Sequence, residues 1–195
     1  MFPLARLKRR SDAALVLLLV LATQQLGGAA LIQAKAWLAP VLMAQAWSQS
    51  TPATPVVKPW PWADTWPVAK LSARRLGVNR IVLAGDSGHA LAFGPGHSAA
   101  SAAPGGEGVS VVSGHRDTHF AFLAELRTGD ELTLELPGDV VKTYRVKTIT
   151  VVDSRLESLA RDTSRTGLLL VTCYPFDAIL AGGPLRYTVY AEAAS

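Results

Sequence analysis

The 195-residue chain holds one cysteine, Cys173, at the end of a nearly unbroken apolar run, Gly167-Leu168-Leu169-Leu170-Val171-Thr172-Cys173, which Tyr174-Pro175 then interrupts. A short run of that kind reads as a buried strand. Its last residue can reach a cleft, where a thiol is held in place and still accessible. A lone cysteine can also be an inert core side chain, and the strand-end position favours the nucleophile. Beyond Gly183-Pro184, the stretch Leu185-Arg186-Tyr187-Thr188-Val189-Tyr190 resumes as a strand. If the two strands pair antiparallel, Arg186 comes to lie beside Cys173. A fixed cation there would favour the thiolate and could hold an oxygen that turns negative during acyl transfer; an ordinary surface arginine is the alternative.

A nucleophilic cysteine works with a base, and the chain offers His89, His97, His115 and His119. His115 follows Val109-Ser110-Val111-Val112-Ser113-Gly114 and so stands at the end of a second strand-like run, a better platform than the small-residue loop 94–106 that carries His97. The spacing of His115 and His119 could suggest a metal pair, but a third ligand and the glutamate of a helical zinc motif are missing. His115-Arg116-Asp117 echoes a kinase catalytic loop without the glycine-rich loop or the DFG segment, so that match reads as chance.

These residues need rigid elements to hold them. Strand-like runs fall at residues 68–71, 79–83, 108–113, 131–136, 142–152, 167–172 and 185–191, with short helical stretches at 122–126 and 156–160. Seven or eight short strands at this spacing indicate a mostly antiparallel barrel or sandwich.

Upstream, four basic residues in the first ten, Arg6, Lys8, Arg9 and Arg10, run into the apolar stretch 13–32. The reading is a cytoplasmic basic segment (1–12) and a transmembrane helix (13–32) that leaves the rest outside the cytoplasm; a cleaved signal peptide is the alternative. A free thiol in an exported chain is a liability unless it is used. Residues 33–67 form a helical stalk, with a kink expected at Pro40, and then a Pro/Trp-rich linker in which Trp60, Trp62 and Trp66 are expected to dock on the domain. The net charge of +4 owes much to the basic start, and no basic stripe interleaved with aromatics follows. That excludes a nucleic-acid partner.

Gly114-His115-Arg116-Asp117-Thr118-His119-Phe120, Leu170-Val171-Thr172-Cys173-Tyr174-Pro175 and Pro184-Leu185-Arg186-Tyr187 together resemble the three signature blocks of the sortases, in the same order, with Phe93-Gly94-Pro95-Gly96-His97 upstream. The linker and the AKAWLA stretch resemble the anchored sortases of Gram-negative bacteria. The resemblance implies a mostly β fold, a closed eight-stranded sortase-type barrel over residues 68–195 with short helices. It implies Cys173 as nucleophile, His115 as acid/base and Arg186 as stabiliser of substrate and intermediate, with Thr172 lining the substrate site. The implied activity is cysteine transpeptidation with no metal or organic cofactor. The implied partners are an exported protein bearing a C-terminal sorting signal and an amine acceptor. The implied location is the inner membrane, single-pass, with the N-terminus cytoplasmic and the catalytic domain periplasmic. A hydrolase using the same three residues and a noncatalytic peptide-binding barrel are the rival expectations.

Overall fold

The structure is a computed structural model that describes residues 4–156, 166–178 and 182–194. The chain divides into two compact units, Met1–Val41 and Leu42–Ser195. The described part of the first is helical throughout, and the second contains the whole barrel.

Helix α1 spans Leu4–Gln49. It is rich in Ala and Leu, the residues that lose least on entering a helix. Pro40 lies inside it, so the stalk expected as a separate helical piece is continuous with what precedes it. The transmembrane helix expected at 13–32 is corrected here. Those residues are an interior stretch of α1, and among the described residues no helix is long and apolar enough to cross a membrane. Leu15–Leu21 are all large, apolar and exposed, but Thr23, Gln24 and Gln25 end the run far short of the roughly 20 apolar residues a bilayer core requires. In the second unit Met43 and Ala46 are buried at the end of α1.

Among the described residues eight strands follow: β1 (Pro67–Ala73), β2 (Val78–Ala84), β3 (Gly96–His97), β4 (Val109–Ser113), β5 (Glu131–Leu136), β6 (Val140–Asp153), β7 (Gly167–Cys173) and β8 (Leu185–Ala193). They close into a barrel in the order β1-β2-β3-β4-β7-β8-β6-β5. The barrel is mostly antiparallel, with two parallel pairings, β2 with β3 and β4 with β7. β1 alternates buried and half-buried side chains along its length, the period-two pattern of a strand with one face on a core. The inward faces supply Leu71, Val82, Val112, Leu132, Leu134, Tyr144, Val146, Leu168, Leu170 and Val189 to one cluster. Burying each such aliphatic side chain stabilises the fold by about 1.5–3 kcal/mol.

The seven expected strands are all present. β3 was not expected; it sits inside the small-residue loop and bridges β2 to β4. A short 3-10 helix, Ala121–Glu125, occupies the first expected helical stretch and sends Phe122 and Leu123 into the core. The second, 156–160, falls mostly outside the described residues. Of the linker tryptophans, Trp60 docks edge-on against Phe93 with ring centroids 5.3 Å apart, and Trp66 is half-buried. Trp62 is 83% exposed and does not dock.

Candidate active site

β7 lies between β4 and β8; β7 carries Cys173, β8 carries Arg186, and His115 follows two residues after β4 ends. β7 and β8 pair antiparallel with Cys173 directly opposite Arg186. Opposed residues on such a ladder share a face, with Cβ atoms about 4.5–5.5 Å apart. The ladder continues one step further, as the Tyr174 N–H donates to the Leu185 carbonyl at 3.1 Å. Arg186 is therefore held beside the cysteine by strand register, as anticipated from the hairpin.

β4 pairs with β7 in parallel, up to Ser113 opposite Val171. The pairing runs on past the strand end, where the Gly114 N–H donates to the Val171 carbonyl at 3.1 Å. His115 and Cys173 follow two residues beyond Ser113 and Val171, so the parallel pairing runs toward both. Leu168 and Leu170 belong to the core, as does Val112. By alternation along β7, Cys173 falls on the outward side of the sheet. The cysteine is half-buried and the histidine exposed.

Thr172 is 2% exposed, and its hydroxyl donates to the Gly114 carbonyl at 2.7 Å. The bond ties the residue before the cysteine to the residue before the histidine. Expected as a lining of the substrate site, Thr172 is found as a buried strut between the two strand ends. Gly114 is required there by space: a Cβ would sit 2.7 Å from the Phe120 ring. That ring is fully buried and packs edge-on against Phe122 at 5.8 Å.

The Arg186 guanidinium turns Nη1 to two carbonyls, Gly183 at 2.6 Å and Leu185 at 2.9 Å. Among the described residues its Nε and Nη2 donate to nothing, which leaves them for an oxygen brought in by a ligand. The Asp153 carboxylate contributes a negative charge near Arg186. Its own proton is held down to about 2, chiefly by the hydrogen bond from the Arg155 side chain and then by the Arg155 N–H.

Sequence reasoning dismissed the match around Arg116, and the structure gives this side chain a role. It is 7% exposed, donates from Nη1 to the Pro175 carbonyl at 2.7 Å and from Nη2 to the Ala178 carbonyl, and meets Asp117 through Nε at 3.1 Å. The signal available was an arginine beside the candidate base at a strand end; its acceptors lie 59 and 62 residues further along the chain. The rings of Tyr174, Phe176 and Tyr187 form a cluster next to the cysteine, Phe176 and Tyr187 at 5.0 Å, and were not singled out either.

The other histidines stand apart from the trio, except for His119. Its imidazole is pushed below its usual range first by burial and then by the charges of Arg80 and His115, against a hydrogen bond to the Ala92 backbone. His97 is buried in β3, where its Nε2 donates to the Ala102 carbonyl at 2.8 Å. His89 pairs with Asp64 of the linker at 3.0 Å. Among the described residues no three His, Cys, Asp or Glu side chains gather as a metal site would need.

A barrel with these three side chains on adjacent strand ends has known counterparts. Residues 71–194 match the model of the sortase domain, and the chain belongs to the sortase family. Sortase D of Bacillus subtilis (strain 168) is 34% identical over 127 residues, which make up 63% of this chain and 61% of that protein. The chain thus spans less than two thirds of the length of that relative. Among solved structures, sortase A from Corynebacterium diphtheriae is 26% identical, with 69% of this chain and 63% of that chain covered and a TM-score of 0.59. A Clostridium perfringens sortase D5 transpeptidase, 24% identical with 67% and 80% covered and a TM-score of 0.58, shares the fold. These matches establish the family; the likeness to Gram-negative members in particular is an expectation they do not test.

Proposed function

We propose that the protein is a cysteine transpeptidase that cleaves a C-terminal sorting signal of an exported protein and transfers the acyl group to an amine. The observation that supports this reading is the register that sets Cys173 opposite Arg186, beside a parallel β4–β7 pairing that ends two residues before His115 and Cys173.

In the reaction, the Cys173 proton passes to His115 and Sγ attacks the scissile carbonyl carbon. The oxygen that becomes negative is held by the free donors of Arg186. The C–N bond then breaks, His115 returns the proton to the departing amine, and a thioester remains on Cys173. An incoming amine loses its proton to His115, forms the new amide bond and releases the thiol. No cofactor enters these steps. Thr172 acts from behind, keeping the two strand ends together.

The full chain in detergent, mixed with a library of sorting-signal peptides, is expected to give a thioester adduct by mass spectrometry that Cys173→Ala cannot form. Absence of any adduct across the library sinks the reading. Added amines are expected to yield ligated product; free acid alone would instead favour the hydrolase. We further propose that the catalytic unit works outside the cytoplasm, at the surface of the inner membrane. The exposed apolar residues Leu15–Leu21 support that location. Protease added to spheroplasts should digest the catalytic unit, and its protection would overturn the assignment.

A further inference from the structure

We propose that Arg116 is a positioning residue: it locks the turn that carries His115 to the loop that leaves Cys173, so that the alignment of base and thiol depends on it. The inference deepens the transpeptidase reading and takes from it the roles of His115 and Cys173.

The argument begins with an imbalance. A guanidinium is costly to bury unless its donors are met, and Arg116 is 7% exposed while Asp117, its one carboxylate partner among the described residues, has a side chain that is 69% exposed. The remaining bonds go to main-chain carbonyls, those of Pro175 and Ala178. Pro175 is two residues past the nucleophile, and Arg116 is one residue past the base. The planar fork therefore joins the chain just after His115 to the chain just after Cys173. The join adds to the two bonds already made through Gly114, one to Val171 and one from Thr172.

What the fork stabilises is the orientation of the His115 ring. Among the described residues the His115 ring makes no hydrogen bond; only its carbonyl is engaged, accepting from the Phe120 N–H at 2.9 Å and the Thr118 N–H at 3.4 Å. The ring is exposed at the mouth of a turn. Its direction follows from the backbone of residues 114–120, which Phe120 pins from the core side and Arg116 from the loop side. Misplacement of a catalytic group by about 1 Å can cost about a hundredfold in rate. Lysine at this position keeps the charge but cannot bridge two carbonyls with a planar fork.

The test reads the coupling without any peptide substrate. The rate of Cys173 alkylation by iodoacetamide is measured from pH 5 to 9 on the full chain and on its Arg116→Gln, Arg116→Lys and His115→Ala variants, each checked for folding by circular dichroism and thermal melting. In the parent, His115 is expected to add reactivity at acid pH that His115→Ala lacks. Arg116→Gln is expected to lose that component about tenfold or more, and Arg116→Lys to recover only part of it. Added guanidinium ion should restore Arg116→Gln in part. A parent profile with no His115-dependent component overturns the proposal. So does a folded Arg116→Gln that melts lower but keeps the parent profile. If Arg116→Gln does not fold, Arg116→Lys decides in the same way. A preserved His115 component with no thioester from any peptide would refute transpeptidation and leave the role of Arg116 standing.

Discussion

Gly114→Ala puts one methyl group at the point where base, nucleophile and core meet. The new Cβ would lie 2.7, 2.8 and 3.0 Å from three carbons of the Phe120 ring. Carbon atoms at rest sit about 3.5–4.0 Å apart, so the ring or the backbone must retreat by about 0.8 Å or more. The ring has nowhere easy to go, since it is fully buried and meets Phe122 edge-on. Overpacking of this kind costs about 1–3 kcal/mol. If the backbone yields instead, His115 moves with it and the rate of thioester formation falls by about tenfold to a hundredfold. Urea unfolding and single-turnover acylation measure the two effects. Phe120→Leu, which shortens the obstructing ring, should relieve both in the double variant, with a coupling energy of about 0.5–3 kcal/mol in the cycle. Parent-like stability and rate in Gly114→Ala, or strict additivity with Phe120→Leu, would refute the reasoning.

Three further perturbations have expected outcomes. Thr172→Val removes the donor to the buried Gly114 carbonyl and should lower the unfolding free energy by about 1–3 kcal/mol in urea, and a loss below about 0.5 kcal/mol would show that another donor takes over. His119 has a lowered pKa, so the unfolded chain takes up a proton near pH 6.5 that the folded chain resists. Stability therefore falls as pH drops through that region, and His119→Asn should flatten the melting temperature between pH 5 and 7; an unchanged slope contradicts it. Asp153, held down to about 2 by Arg155, contributes stability that is present above about pH 4 and disappears as pH falls toward 2. Asp153→Asn should melt below the parent at neutral pH and converge with it in strong acid, and a constant gap at all pH values would refute the assignment.

How far these features could be read in advance depended on the range of the interaction. β7 was legible because a strand covered on both sides must be apolar almost throughout, and β8 because a Gly-Pro pair marks its start. Their antiparallel pairing, and with it the meeting of Cys173 and Arg186, follows from a short connection. The parallel pairing of β4 with β7 leaves no local trace, since more than fifty residues separate the partners; the motif resemblance, not the pattern, linked His115 to the cysteine. β3 is too short for any periodicity and exists because β2 and β4 need a strand between them. Arg116 was missed for the related reason that its acceptors are carbonyls, which every residue possesses. Thr172 was anticipated as a lining of the site, and alternation from Leu168 and Leu170 turns its side chain inward, where the hydroxyl meets the Gly114 carbonyl. The apolar run that follows the basic start of α1 invited a spanning helix, and the polar triplet Thr23-Gln24-Gln25 is what cuts that run short.

The position of β8 has a temporal meaning. It follows every other strand in the chain, and it joins β6 to β7 to complete the ring. A polypeptide emerging from synthesis exposes Cys173 before Arg186 has been made, and the barrel stays open along the β7 edge until residues 185–193 dock. Domains form as their elements become available, N-terminal portions first. The thiol and its cation are therefore brought together by the same event that seals the barrel, and until then the cysteine lies on an open edge without the charge beside it.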